Sequence, residues 1–180
     1  VADGPLQRVV QRLQEAAGAM EGLLKRLLDL SRLQSGTVRV HRQPLALQPL
    51  FDAIAAHHAD QAQRKGLRLV VRPNQAVVDS DPALLEQILR NLVGNAVRYT
   101  SSGGVLIGAR RAGAGMLRLE VWDSGPGIPQ DQHEAIFGEF VRGDAGHQSA
   151  DALSGLGLGL AIVQRSAALL GLTVQLRSRL

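Results

Sequence analysis

The sequence predicts a two-layer α/β domain in which helices cover one face of a mixed, mostly antiparallel sheet, with a long helix ahead of it. Three observations support this prediction. Strand-like and helix-like segments alternate from residue 37 onward, apolar residues recur at helical spacing in the longest segments, and a Gly-rich turn joins two strand-like runs. A chain of 180 residues is long enough for one well-cored domain and a helical appendage.

The first segment predicts a long helix that runs to about Leu33. Its apolar residues recur at alternating spacings of four and three, which is a heptad seam: Leu6, Val10, Leu13, Ala17, Met20, Leu24 and Leu27. Such a seam predicts partner helices in a coiled coil or four-helix bundle. The alternative is one amphipathic helix that lies on its own domain. Gly18 and Gly22 weaken the pattern, and Gly36 is expected as the C-cap.

The helix at residues 81–100 is the best-defined later element, because Asp81 is a good N-cap and Pro82 stands at the first helical position. The other predicted elements are, in order, a strand near 37–42, a helix at about 47–65, strands at 67–72 and 76–78, strands at 105–111 and 116–122 around a turn at 113–115, a helix at 156–170 and a strand at 173–177. No internal repeat is evident.

Three glycines precede the last predicted helix at every second position: Gly155, Gly157 and Gly159. Glycine lets the backbone approach an anion closely, and the helix that follows offers unpaired N–H groups and the positive end of its dipole to a polyphosphate. Plain packing before a buried helix also uses such turns, so this segment alone does not decide between the two.

Asp123 begins a second glycine-containing segment, Asp123-Ser124-Gly125-Pro126-Gly127-Ile128, directly after the strand-like run 116–122. A buried Asp at this strand end could accept a hydrogen bond from a ligand. The alternative is a tight turn, because Asp, Ser, Gly and Pro are common turn formers.

Asn91 and Asn95 lie one turn apart on the helix at 81–100, between apolar neighbours. A solvated stripe is one interpretation, but an unpartnered amide among apolar residues is costly, and a bound ion or ligand would satisfy it. An amide oxygen suits Mg²⁺, which keeps several waters and binds substrate phosphates as well. Together the three segments predict a nucleotide pocket.

These segments resemble the ATP-binding domain of sensor histidine kinases, in the wider GHKL family that includes gyrase, mismatch-repair ATPases and heat-shock chaperones. Four motifs stand in the family's order, namely the asparagine box at 81–100, the first glycine box at 123–128, the phenylalanine box at 136–140 and the second glycine box at 155–162. The resemblance covers about residues 40–178, extends more weakly through the first helix, and implies the Bergerat ATP-binding fold with ATP and Mg²⁺ as cofactors.

The resemblance implies a role for each matching position. Asp123 would accept the adenine amino group, Asn95 would hold Mg²⁺, and Arg142 would meet the γ-phosphate. Implied ATP-binding residues are Asn91, Asn95, Arg98, Tyr99, Asp123, Gly125, Gly127, Ile128, Phe137, Gly155, Leu156, Gly157, Leu158 and Gly159, with Asn91, Arg98 and Arg142 implied as catalytic. The polar segment 142–154 is expected to be a mobile lid that ATP orders, and a disordered linker is the alternative.

The residue at position 91 distinguishes ATP hydrolysis from phosphoryl transfer within the wider family. The ATPases that hydrolyse ATP with water carry a Glu general base one turn before the metal-binding Asn, where this chain has Asn91. An amide cannot take a proton from water, so transfer to a protein histidine is favoured over hydrolysis. A GHKL-type ATPase and a nucleotide-binding regulatory module without transfer activity remain the alternatives.

The segment 28–36 resembles the end of the second dimerisation helix of histidine kinases. This implies a division into residues 1–36, an incomplete part of the dimerisation bundle, and residues 37–180, a catalytic domain that lacks its last strand. No histidine stands in the family's phosphoacceptor motif, so all five are expected to be surface side chains without metal spacing, and the acceptor histidine to lie outside this chain. The implied partners are that histidine, a response regulator receiver domain and, in the full-length protein, a second copy.

Composition limits which partners and cellular locations the sequence predicts. The formal net charge of +4 is spread over many Arg rather than gathered in one block, and aromatics are scarce, which argues against nucleic acid as a partner. No run is long and apolar enough to cross a bilayer, and the chain has no cysteine and no secretory signal. A cytoplasmic location without membrane contact is therefore expected, although the full-length protein could carry an anchor in the inner membrane.

Overall fold

The computed structural model describes residues 4–113, 115–141 and 157–180, and it confirms the predicted α/β architecture. Within these residues the helices are α1 (Gly4–Gln34), α2 (Leu47–Arg64), α3 (Pro82–Tyr99) and α4 (Gly159–Leu170), and the strands are β1 (Gln43–Ala46), β2 (Arg68–Val71), β3 (Val77–Ser80), β4 (Gly104–Arg111) and β5 (Leu117–Asp123). Short 3₁₀ turns lie at Gln130–Gln132 and Ala135–Phe137.

The described strands form two separate sheets rather than one continuous sheet. β1 pairs antiparallel with β3, while β4 pairs parallel with β2 on one side and antiparallel with β5 on the other. The pairing is therefore mixed and mostly antiparallel, as predicted. The parallel pair needs a crossover, which passes through β3 and α3 and brings α3 onto the sheet.

Two predicted strand positions are wrong. Residues 37–42 are not a strand, because β1 begins at Gln43, which pairs with Ser80, the last residue of β3. The next pairing position would fall on Asp81, which caps α3, so the ladder cannot continue toward residue 37. Residues 173–177 keep the expected alternation, with Val174 and Leu176 half-buried, but they form no ladder with a neighbouring strand in the described structure.

The core lies between the helices and the inner face of β2, β4 and β5. Its largest fully buried side chains come from α2, α3, β4 and α4 and include Phe51, Leu47, Ile54, Leu89, Ile107 and Ile162. Each such side chain contributes about 1.5–3 kcal/mol by burial. Because α3 packs against α2, α4 and the sheet, its polar face is held in a fixed position beside α4.

The long helix α1 divides into two parts. At its C-terminal end Leu30 and Leu33 are buried in the core, and Asp29 accepts a hydrogen bond from Gln87 at 3.1 Å. The heptad seam before them is exposed, and its described large side chains are Val10, Leu13, Met20, Leu24 and Leu27. The seam therefore does not lie on the rest of the described domain, and the partner helices that the spacing predicts for it stay a prediction. Gly36 follows α1 with a φ of +66°, as a C-terminal glycine does.

Asp81 caps α3 as the sequence predicts. Its Oδ1 accepts a hydrogen bond from Leu84 N at 3.1 Å, and its Oδ2 accepts one from His41 N at 2.8 Å. Burial by itself raises the pKa of the Asp81 carboxyl, but the backbone hydrogen bonds from His41, Leu84 and Ala83 outweigh it, so the pKa lies below its ordinary value. The carboxylate thus joins the start of α3 to the segment before β1.

Asp81→Ala is expected to lower the free energy of unfolding by about 2 kcal/mol at neutral pH, because two backbone N–H groups lose a charged acceptor. Since the folded pKa is depressed below 3.8, the contribution is complete above about pH 4 and is lost as the pH falls through the folded value. Urea unfolding at pH 7 and pH 3 measures this, with Asp79→Ala on exposed β3 as the control. An equal loss at both pH values would contradict the charge argument.

The expectation that all histidines are surface side chains is wrong for two of them. His58 is half-buried against Gly94 of α3, and burial, with the nearby His57 and Arg90, lowers its pKa. His133 is half-buried with Nε2 3.0 Å from the carbonyl oxygen of Ile128. Helix α2 packs closely on α3 at Gly94, and this contact places His58 inside. Sequence spacing alone did not indicate it.

Candidate functional site

Asn91 and Asn95 meet Gly159 at the first turn of α4. The Asn91 Nδ2 donates to the Gln87 carbonyl at 2.8 Å, so its Oδ1 points away from the α3 backbone. A Cβ added to Gly159 would lie 3.1 Å from that Oδ1 and 3.7 Å from the two amide atoms of Asn95. The structure therefore brings both amides to the N-terminal end of α4, where unpaired N–H groups favour an anion.

Asp123 and Gly125 lie against the C-terminal end of α3. Asp123 Oδ1 accepts a hydrogen bond from Gly125 N at 2.8 Å. A Cβ on Gly125 would lie 2.7 Å from that oxygen, 3.4 Å from Thr100 Oγ1 and 3.5 Å from the Tyr99 carbonyl oxygen. Between Asn91 and Tyr99 the helix advances about 12 Å at about 1.5 Å per residue, so the amides and the carboxylate lie at the two ends of one elongated site.

Lys65 fixes the end of α3 that carries these groups. Its ammonium donates to the carbonyl oxygens of Val97 at 3.0 Å and Thr100 at 3.2 Å, and also to that of Arg98. The last carbonyls of a helix lack intrahelical donors, and a cation there also interacts favourably with the helix dipole. Lys65, which follows α2, thus holds the turn that presents Arg98, Tyr99 and Thr100.

Lys65→Met keeps most of the side-chain stem but removes the donors, and it is expected to cost about 1.5–3 kcal/mol of stability. Because the freed turn carries Arg98 and Tyr99, the Kd for the nucleotide predicted from the sequence should also rise. Denaturant unfolding and calorimetric titration measure the two effects, with Lys25→Met on the exposed face of α1 as the control. Unchanged affinity in a folded variant would count against this positioning role.

Gly157 packs directly on the backbone of Phe140 and Val141. A Cβ at Gly157 would lie 2.4 Å from the Val141 carbonyl oxygen and 2.7 Å from Val141 N, and the φ of +69° is itself unfavourable for other residues. Phe140 also has a positive φ, of 63°, and its ring is 59% exposed. A positive φ is uncommon and strained for a bulky residue such as Phe140, and strain of this kind is often found at ligand sites.

Arg98 and Tyr99 stand at the end of α3 with their side chains close together, since the Arg98 guanidinium carbon is 5.6 Å from the Tyr99 ring centroid. Arg98 is half-buried and Tyr99 is exposed. The pKa of Arg26 on α1 is lowered, first by burial and then by the positive charge of Arg98, so α1 also approaches this corner.

Other predicted site residues lie elsewhere or beyond the described residues. Gly127 and Ile128 contact the chain at 178–180, where Ile128 N donates to Ser178 Oγ at 2.8 Å. The Leu158 side chain is fully buried in the core, so only its backbone could reach a ligand, and Phe137 is half-buried in the 3₁₀ turn that contacts α4. Arg142, Gly155, Leu156 and the predicted lid at 142–154 fall outside the described residues.

Sequence reasoning missed three residues at this site. Gln87 bonds Asn91 through its carbonyl and Ser166 and Asp29 through its side chain, and its spacing from Asn91 and Asn95 would have placed it on the same face. Thr100 is fully buried next to Gly125, and its Oγ1 has no hydrogen-bond partner among the residues that the structure describes. Lys65 gave no sequence signal, because its three acceptors lie more than thirty positions away.

Comparison with known proteins identifies the family. Residues 80–180, which hold α3, Asp123 and α4, match the family described as histidine kinase-, DNA gyrase B- and HSP90-like ATPases. The chain belongs to this family. This match confirms the family resemblance that the asparagine and glycine boxes predict. The two-layer α/β architecture of the chain is the fold of this ATPase family.

Relatives of this ATPase-family chain include sensor histidine kinases. It is 35% identical to the sensor histidine kinase AtsR of Burkholderia thailandensis over 95% of its own length and 29% of that protein. It is 32% identical to the aerobic respiration control sensor protein ArcB of Escherichia coli, over 92% of this chain and 22% of ArcB. The chain thus spans less than a third of either relative.

Solved structures show the same fold. The structure of full-length ShkA in complex with AMPPNP matches with a TM-score of 0.78 and 32% identity, over 92% of this chain and 34% of ShkA. The Acinetobacter baumannii histidine kinase AdeS matches with a TM-score of 0.73 and 21% identity, over 89% of this chain and 72% of that one, which supports the fold alone.

Two other features are absent from the described residues. No helix there is both long and apolar enough to span a membrane. The same residues contain no cluster of three or more His, Cys, Asp or Glu side chains that could hold a metal ion.

Proposed function

We propose that this chain binds Mg-ATP and transfers the γ-phosphate to a histidine of a dimerisation domain. The observation that carries the proposal is the arrangement along α3, with Asn91 and Asn95 facing Gly159 at one end and Asp123 and Gly125 packed at the other. The length of the site suits an adenine at the carboxylate and phosphates at the N-terminus of α4.

The residues present fit the proposed nucleotide and metal. Gly159 lacks the Cβ that would lie 3.1 Å from the Asn91 Oδ1, so the backbone at the start of α4 lies close to both amides. The Asn95 and Asn91 oxygens are hard ligands of the type Mg²⁺ accepts alongside phosphate oxygens and water. When bound, the metal would neutralise charge on the transferring phosphoryl group.

The chain's own residues supply position and charge rather than a base. Asp123 would accept a hydrogen bond from the adenine amino group, and Arg98 and Arg142 would supply positive charge to the phosphates, where cations stabilise the charge that moves during transfer. A histidine nitrogen attacks the γ-phosphorus in line as the bond to the bridging oxygen breaks and ADP leaves. Asn91 occupies the place of the hydrolytic base, so water is not activated there.

The proposal extends to domain organisation and partners. Residues 1–36 form part of a dimerisation bundle and residues 37–180 the catalytic domain, because the exposed seam of α1 offers an apolar face for helices of a second copy. The relatives are named as sensor kinases and sensor proteins, and this supports a receiver domain as the next phosphate acceptor.

The experiment supplies ATP, Mg²⁺ and a separate histidine-containing dimerisation domain to the chain. Acid-labile, base-stable phosphate on that histidine is the expected result. Nucleotide binding without transfer would instead support the regulatory module, and steady phosphate release without an acceptor would support an ATPase and contradict the inference from Asn91. Calorimetry that detects no uptake of Mg-ATP would overturn all three.

A further inference from the structure

The outer face of the three-stranded sheet, opposite the helices, carries an exposed apolar row. Strand alternation turns Leu69, Ile107 and Val121 into the core, so Val70, Leu106 and Trp122 lie on the outer face. These three residues are aligned in register, because Val70 pairs with Leu106 and Leu106 pairs with Trp122. They form one row across the sheet, about 10 Å long at about 4.8 Å per strand.

The row is open to solvent. Val70 is 46% exposed and Trp122 is 50% exposed, and the helices that the described structure packs on this sheet lie on its other face. An aromatic side chain and a β-branched side chain, held on either side of Leu106 on an open sheet face, are the type of anchor found at protein interfaces.

Arginines surround this row. The outer face also carries Arg68, Arg72, Arg110 and Arg118, against a single carboxylate, Glu120. The Arg72 stem covers Gly108, where an added Cβ would lie 3.4 Å from Arg72 Cβ, and in the described structure neither Arg68 nor Arg72 forms an ion pair. Two guanidinium groups beside the row are therefore available to acidic groups of a partner.

Glu120 is already engaged inside the patch. Its Oε1 accepts from Arg110 Nε at 2.6 Å and its Oε2 accepts from Trp122 Nε1 at 3.2 Å. Burial by itself raises the pKa of the Glu120 carboxyl, but these hydrogen bonds and the charges of Arg110 and Arg118 lower it overall, so the group stays ionised. These contacts fix the Trp122 indole in place, which reduces the entropy lost when a partner binds.

We propose that the outer face formed by Val70, Leu106, Trp122, Arg68 and Arg72 is a docking surface for an acidic protein segment that carries an apolar side chain. Charge complementarity selects this occupant, because four arginines meet one glutamate around an apolar row. The fixed carboxylate of Glu120 within the patch disfavours a continuous polyanion such as nucleic acid or an anionic membrane, whereas separate Asp or Glu side chains can meet Arg68 and Arg72 individually.

Trp122 is the only tryptophan of the chain, so its fluorescence reports on this surface directly. The probe is a 16-residue synthetic peptide with Leu on one helical face and Glu on both flanks, and the matched control has Lys in place of Glu. The Glu peptide is expected to shift the Trp122 emission to shorter wavelength with saturation, less strongly at high salt, while the Lys peptide gives no shift.

Val70→Glu should weaken binding of the Glu peptide about tenfold or more, since it puts a negative charge into the row. Val77→Glu changes an exposed residue of β3, in the separate two-stranded sheet, and it should leave binding unchanged. If Val70→Glu does not fold by circular dichroism, Arg68→Gln with Arg72→Gln provides the second test and should weaken binding while reducing its salt dependence.

Several results would overturn the proposal. These are no shift with the Glu peptide, an equal shift with the Lys peptide, or equal weakening by Val70→Glu and Val77→Glu. A larger saturable shift with phosphatidylglycerol vesicles or with single-stranded DNA than with the Glu peptide would assign the face to a membrane or to nucleic acid instead. None of these measurements requires ATP, so they are independent of the proposed kinase activity.

Discussion

Asn95→Ala is expected to lower the rate of phosphoryl transfer to the separate dimerisation domain by about 100-fold or more. The variant removes the amide oxygen proposed to hold Mg²⁺ at the phosphates, and loss of one preorganised group that stabilises transferring charge costs about two to three orders of magnitude. The Asn95 amide lies beside Asn91 and Gly159, at the N-terminal end of α4. Single-turnover transfer with radiolabelled ATP measures the change.

Two companion variants sharpen this result. Asn95→Asp keeps an oxygen at the same place, and it should retain more transfer than Asn95→Ala when Mg²⁺ is raised. Asn74→Ala removes an amide that bonds to the Gln48 side chain and the Ala76 backbone in the segment between β2 and β3, and transfer should stay normal. Full transfer by a folded Asn95→Ala variant would exclude Asn95 as the metal ligand.

Gly157→Ala is expected to destabilise the domain and to abolish measurable nucleotide binding. The new methyl group would meet the Val141 carbonyl oxygen at 2.4 Å, and the φ of +69° adds strain of about 1–2 kcal/mol. Overpacking adds about 1–3 kcal/mol, and relief of the clash would move the turn that leads into Gly159 and α4. Denaturant unfolding and calorimetric titration with Mg-ATP measure both losses.

Gly171→Ala is the matched control for this variant. Gly171 has nearly the same φ, of +70°, but a Cβ there would meet nothing within 4 Å. It should therefore show the strain alone, with nucleotide affinity unchanged. Equal loss of stability in the two variants, or normal ATP affinity in Gly157→Ala, would show that the contact with Val141 does not shape the site.

Local signals predicted α3 and its cap, because the N-cap, the first-position proline and the apolar periodicity of Leu85, Ile88 and Leu89 all favour the same helix. The same periodicity predicted correctly that Asn91 and Asn95 share a face. The sequence did not predict that β1 starts at Gln43. That limit is set by β3, which pairs with β1 and ends at Ser80, just before the N-cap Asp81.

Long-range packing decided the features that sequence reasoning missed. Lys65 reaches the end of α3 because α2 and α3 pack side by side, and Thr100 is buried beside Gly125, which lies 25 positions later in the chain. His58 lies against Gly94 for the same reason. Such contacts depend on pairs of residues distant in the chain, and a single sequence carries no local pattern for them.

The contact between Gly157 and Val141 also bears on how the chain can change over evolution. Since the two residues touch, the described positions that flank residues 142–156 lie at nearly one point. The entropy of joining two fixed positions through a chain segment grows only with the logarithm of the segment's length, by about 0.6 kcal/mol for each doubling. Insertions or deletions between Val141 and Gly157 should therefore cost little stability, so natural length variation is expected there.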